Sequence, residues 1–109
     1  MRTYVLMSRM TAAGDTIAEV ASSTRRSPRN RQEWLREVKL QCPEVRFLSH
    51  YALFGAWDFM DIYHAPDEQS AVKVSMLCSA CTRYHVESWP ALEADRVEAL
   101  ADDIRAACE

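Results

Sequence analysis

VRFLSHYALFGAWDFMDIYH, residues 45–64, decides the fold. Two runs rich in β-branched and aromatic residues, Val45–Leu53 and Trp57–His64, flank the short break Phe54-Gly55-Ala56. That pattern predicts a β-hairpin. Gly55 is the residue expected to supply a positive φ at the turn. If the chain reverses at Phe54-Gly55, Ala52 pairs with Trp57 and the alternation sorts the hairpin into two faces. Val45, Phe47, Ser49 and Tyr51 lie with Asp58, Met60, Ile62 and His64. Arg46, Leu48, His50 and Ala52 lie with Trp57, Phe59, Asp61 and Tyr63. The first set has the apolar centre expected to meet helices. The second mixes aromatics with charges, as an interface or pocket does. A slip of one residue would exchange the partners across the faces.

Working outward, residues 3–10 read as a strand. In Thr11–Thr24, Asp15 stands as an N-cap ahead of Ile17, Ala18, Val20 and Ala21, predicting a short helix. Ser27-Pro28 marks a stronger start, a cap followed by proline at the first helical position. Trp34, Leu35, Val38 and Cys42 then recur at helical spacing until Pro43. Beyond the hairpin, Ala65-Pro66-Asp67 opens a helix whose Ala71, Val74, Leu77 and Cys78 share one side. Tyr84–Trp89 is a further strand, and a last helix carries Val97, Leu100, Ile104 and Cys108 as its apolar stripe. The order is βαββαβ plus a terminal helix. This is the α+β ferredoxin-like signature: one antiparallel sheet, ordered 4-1-3-2, with helices on one face. The other face must meet water, a ligand or a second copy.

At 109 residues, 49% hydrophobic and 27% charged, the chain has the composition of one globular domain. No segment approaches the length of a membrane span, and the amino terminus is too polar for a signal peptide. The expectation is a cytoplasmic protein with no membrane partner. Its four cysteines, Cys42, Cys78, Cys81 and Cys108, are then expected to be thiols. Charge is unevenly spread. Arg25, Arg26, Arg29, Arg31, Arg36 and Lys39 crowd the start of one helix, and the segment after residue 93 is acidic. The negative total and the lack of aromatics among the arginines argue against nucleic acid. The run reads as a solvated helix entrance.

Gly55, Trp57 and Asp58, inside LFGAWDFMDIYHAPDEQSAVKV, resemble the name motif of the GYD-domain family of small bacterial proteins, with Trp in place of the usual tyrosine. Ala65-Pro66-Asp67 resembles that family's strand-to-helix junction. The opening TYVLMSRMT and Ser27-Pro28-Arg29 match in kind. The resemblance covers residues 1–92, leaving 93–109 as a C-terminal helical extension of the same domain. It implies a dimeric α/β-barrel type, in which two sheets pack face to face. The family has no established general activity, so the resemblance implies an assembly and no reaction.

MLCSACTRYHVESW, residues 76–89, offers Cys78 and Cys81 three apart, with His85 four residues on. A structural zinc site needs four closed ligands, and no second pair exists. A redox pair belongs at a helix N-terminus, whereas this one sits at a C-terminus. Core packing is the better reading of the pair. Asp58 is read as an acceptor for backbone N–H groups near the hairpin. The expected ligand-binding residues are His50, Trp57, Phe59, Asp61 and Tyr63, with His85 and Glu87 contributing. Asp61, between two aromatics, needs a partner; Leu48 is its expected neighbour and Arg46 the nearest cation. The alternative metal ligands are His50, His85, Cys78 and Cys81. Two functions follow: a homo-oligomeric small-ligand-binding or sensing module with its pocket between packed sheets, or a small dimeric α/β-barrel enzyme of the cofactor-free oxygenase or isomerase type, with a metal-binding variant of either that uses His and carboxylate residues.

Overall fold

The computed structural model describes residues 1–10 and 28–108. Its elements are β1 (Arg2–Arg9), α1 (Pro28–Gln41), β2 (Arg46–Ala52), β3 (Phe59–Ala65), α2 (Glu68–Thr82), β4 (His85–Ala91) and α3 (Ala94–Cys108). The helix expected in Thr11–Thr24, the Ser27 cap and the arginines at 25 and 26 lie outside the described residues. The four strands form one antiparallel sheet in the order β2-β3-β1-β4. The expected ferredoxin-like layout is therefore the observed one.

The first two helices form for legible reasons. Between Pro28 and Gln41, straight-chain Arg, Gln, Glu, Leu and Lys dominate, and proline occupies the first helical position. In α2, Asp67 sits in extended backbone and its carboxylate accepts the Ser70 N–H at 2.8 Å. Arg83 closes the helix in the left-handed conformation, φ 61°, with its N–H on the Ser79 carbonyl.

The core lies between the sheet and the α1/α2 layer. Tyr4 and Leu6 of β1 and Tyr63 and Ala65 of β3 meet Trp34, Val38, Ala71, Val74 and Cys78 of the helices. Trp34 is 1% exposed. Its indole N–H donates to the Val74 carbonyl at 3.1 Å, joining α1 to α2, and its ring meets Phe47 edge-on. A buried aromatic so placed is worth about 3–5 kcal/mol against alanine.

The hairpin corrects the expected pairing. Ala52 faces Phe59, not Trp57, and a bulge between Phe47 and Ser49 shifts the far end. Moving the partner from 57 to 59 is an even step, so His50, Ala52, Phe59 and Asp61 still share a face. The bulge then carries Phe47 onto that face, beside Tyr63. The direction of the faces is reversed, however. Phe59, Asp61 and Tyr63 are buried toward the helices, and Met60, Ile62 and His64 lie on the open side. The physical reason lies in β1 and β3 at the sheet centre. Tyr63 stacks on Tyr4 and Asp61 pairs with Leu6, so the bulkiest central side chains all point one way. Met60 and Ile62 are left to cover the other side.

Gly55 also departs from expectation. Its φ is outside the left-handed region, and an added Cβ would meet nothing within 4 Å. With six residues separating Ala52 from Phe59, the connection is long enough to turn without a positive φ there. α3 buries none of its residues, and Val97, Leu100 and Ile104 are at least half exposed.

Candidate functional site

Where the ends of α1, α2 and β1 meet the β2/β3 pair, a cavity of about 180 Å³ opens beneath the helices. Asp61 forms its charged centre. The β3 alternation turns this carboxylate inward, where it is 2% exposed. Burying a lone carboxylate would be costly, but two donors converge on it. Arg31 Nη2 reaches Oδ1 at 3.0 Å, and His50 Nδ1 reaches the same oxygen at 2.9 Å. Arg31 comes from the first turns of α1, and His50 comes from directly across the β2/β3 ladder. The expected neighbours of Asp61, Leu48 and Arg46, are displaced by these two residues: the hairpin register sets His50 opposite it, and the face turned toward the helices meets Arg31 of α1.

The imidazole of His50 lies near-parallel to Phe59 at 5.5 Å, and Phe59 lies near-parallel to Tyr84 at 6.0 Å. These rings make one apolar wall; Trp34 and Cys78 contribute from the helices, with Ser8, Asn30 and Thr82 adding polar groups. Burial pushes the Cys78 thiol up to about 12, so it lines the cavity as a neutral group. Cys81 is shifted upward as well, chiefly by desolvation and then by Glu33 and Glu37. Both cysteines, like Cys42 and Cys108, are free thiols.

The residues expected to form one site thus fall into three places. His50, Phe59 and Asp61 line the cavity. Tyr63 lies in the core below it, fully buried, its hydroxyl paired with Ser88 Oγ at 2.6 Å. That burial raises its pKa, against the lowering effect of the serine contacts. Trp57, His85 and Glu87 occupy the open face. There Trp57 stacks on His85, meets Trp89 edge-on and lies under the Arg9 guanidinium at 5.2 Å. His85 is 3.9 Å from Glu87. His50 and His85 stand on opposite faces and opposite edge strands. Among the described residues no three His, Cys, Asp or Glu converge to hold a metal.

Sequence reasoning missed Ser8, Asn30, Arg31, Trp34, Thr82 and Tyr84 as lining residues. A signal existed for two of them. Arg31, Trp34 and Val38 follow one another at spacings of three and four, so the arginine lies on the buried stripe of α1 rather than on its solvated side. Its guanidinium also lies 5.4 Å from the Trp34 ring.

Beside the cavity, Asp58 has a structural task. Its Oδ2 accepts the Met10 N–H at 2.7 Å, and its own backbone bonds to Ser8 and Leu53. The Gly55-x-Trp57-Asp58 segment is therefore anchored to the end of β1. The GYD domain family model matches residues 4–101. This chain belongs to the GYD domain family. The match passes Leu92 and includes the first half of α3, beyond the reach of the resemblance read from motifs. No curated protein and no solved structure matches this GYD domain. Among its described residues, no helix is long and apolar enough to cross a membrane.

Proposed function

We propose that this GYD domain is a small-molecule-binding module whose ligand enters the cavity around Asp61, and that it works as a homo-oligomer. One observation carries the ligand reading. A carboxylate almost wholly removed from water is held by Arg31 and His50 on the wall of a largely aromatic cavity. Binding sites combine apolar walls with a few convergent polar groups in this way. The pocket so proposed lies between sheet and helices of one chain, not between two sheets as expected from the sequence.

Support for self-association comes from exposed apolar groups on the open sheet face and on α3. Tyr51, Trp89 and the α3 stripe of Val97, Leu100 and Ile104 are exposed large apolar groups. A second copy packed on the open sheet face would remove Tyr51 and Trp89 from water.

The Asp61–His50 contact favours a second reading, a small enzyme of the cofactor-free oxygenase or isomerase type. A carboxylate on Nδ1 fixes the imidazole tautomer with Nε2 as the basic nitrogen, which suits proton abstraction.

A fragment screen by protein NMR tests the ligand reading. Hits should shift the amides of His50, Asp61 and Tyr84 and should weaken in Asp61→Asn. A library that leaves these amides unmoved overturns it.

A further inference from the structure

The polar bookkeeping of the cavity narrows the kind of molecule it accepts. Both described donors to Asp61, Arg31 Nη2 and His50 Nδ1, go to one oxygen, Oδ1. Among the described residues no donor reaches Oδ2. A carboxylate oxygen on a side chain 98% removed from water is normally given a donor, because leaving it bare costs the desolvation energy of a charged acceptor. The side chain lines a cavity large enough for one ring: an apolar cavity of about 150 Å³ suffices for benzene. Among the described residues none supplies that bond, and a molecule held in the cavity beside the carboxylate is placed to supply it.

Shape and charge restrict the occupant further. Phe59 is tilted 17° from His50 and 11° from Tyr84, a row of near-parallel rings against which another ring packs. Among the described lining residues, Arg31 and Asp61 are the arginine and the aspartate, and they neutralise each other at 3.0 Å. An anion would meet Asp61 Oδ2, which no described donor reaches. An apolar ring would leave that oxygen unpaired. We infer that the cavity selects a neutral, single-ring aromatic compound bearing a hydrogen-bond donor, of the phenol class, whose O–H donates to Asp61 Oδ2 while its ring lies against Phe59. This rests on the small-molecule reading above and adds the ligand's chemistry to it.

Phenol, toluene and benzoate serve as probes, since they share the ring and differ in the group it carries. Each is titrated into the full chain, with binding read from the amide shifts of His50, Asp61 and Tyr84. Phenol should bind about tenfold or more tightly than toluene, the difference made by one hydrogen bond to a charged group. Benzoate should be the weakest. In Asp61→Asn the phenol-to-toluene ratio should fall below about threefold; if that variant does not fold, the ranking on the wild type decides alone. Equal binding of phenol and toluene, or preference for benzoate, overturns the inference while leaving the cavity a binding site. If none of the three rings binds but other fragments move the same amides, the ligand class is wrong and the pocket reading survives. If nothing in the library moves them, the pocket reading itself fails.

Discussion

Asp58 Oδ2 and the Met10 N–H, 48 positions apart in sequence, are joined at 2.7 Å. This bond fastens the connection between β2 and β3 to the chain leaving β1. It is charge-assisted and partly shielded from water, which makes it stronger than a neutral surface bond. Asp58→Ala should lower stability by about 1–2 kcal/mol and Asp58→Asn by less, with the cavity unchanged. Urea denaturation of the three proteins measures this, and a midpoint unmoved in Asp58→Ala would contradict it.

Two backbone positions call for opposite substitutions. Gly55 sits in open space outside the left-handed region, so Gly55→Ala should be neutral or stabilising by up to about 1 kcal/mol, through a less free unfolded chain. Arg83 has φ 61° at the end of α2, where glycine is at ease and a Cβ is not. Arg83→Gly should stabilise by a similar amount. Thermal melts that drop by several degrees for either change would show that its side chain or backbone has another role.

How much of this was legible in the sequence depends on the range of the interaction. The strands, α1, α2 and their order were readable because alternation, helical spacing and caps such as Asp67 are local. The parity of the hairpin was also local, so His50 and Asp61 were correctly grouped. Which face met the helices was not, because Tyr4 and Leu6 of β1 settle it from more than 50 positions away. The bulge between Phe47 and Ser49 was equally invisible, since nothing in Arg46-Phe47-Leu48 marks it. Arg31 was hidden by its company: in a run of arginines, the inward one is found only by tracing the Trp34 and Val38 stripe. The Asp61 partners therefore had to come from the fold.

The Cys78 thiol should make the protein sensitive to alkali. Its pKa is raised by burial to about 12 from an ordinary value near 9. Between these values the unfolded chain has lost the proton and the folded one keeps it. Stability is thus fully present below about pH 9 and falls as pH rises toward about 12. Tyr63, also raised by burial, adds to the fall above about pH 10. Cys78→Ala should flatten the decline while costing a packing-sized amount at neutral pH. Urea midpoints collected from pH 7 to high pH test this; equal slopes for both proteins would exclude the thiol. Thiol labelling at neutral pH should reach exposed Cys108 before Cys78.

Trp89 points to the open face, paired across the ladder with Val5, and is 44% exposed. If a second copy covers that face, Trp89→Glu places a charge in the interface, where desolvation opposes association. The wild type should scatter light as a dimer or larger at micromolar concentration, and the variant should shift to monomer with its fold retained. A wild type that is monomeric throughout removes the homo-oligomer from the proposal.

The Arg31–Asp61 pair separates stability from binding. Removing the arginine alone leaves a carboxylate, 2% exposed, with His50 as its remaining described donor. Arg31→Met should therefore destabilise by about 2–4 kcal/mol, at the low side because the arginine side chain is itself 30% exposed. Replacing both members is a different experiment. In Arg31→Met with Asp61→Leu no buried charge is stranded, and the adjoining cavity gives the leucine room. His50 loses its acceptor there but reaches water, being 35% exposed. The double variant should recover at least half of the stability lost by Arg31→Met, a coupling that a double-mutant cycle reads directly. It should also lose preference for a donor-bearing ligand, since the only carboxylate among the described lining residues has gone. Recovery of stability together with retained phenol preference would mean that Asp61 is a structural ion-pair partner and that recognition lies elsewhere in the cavity.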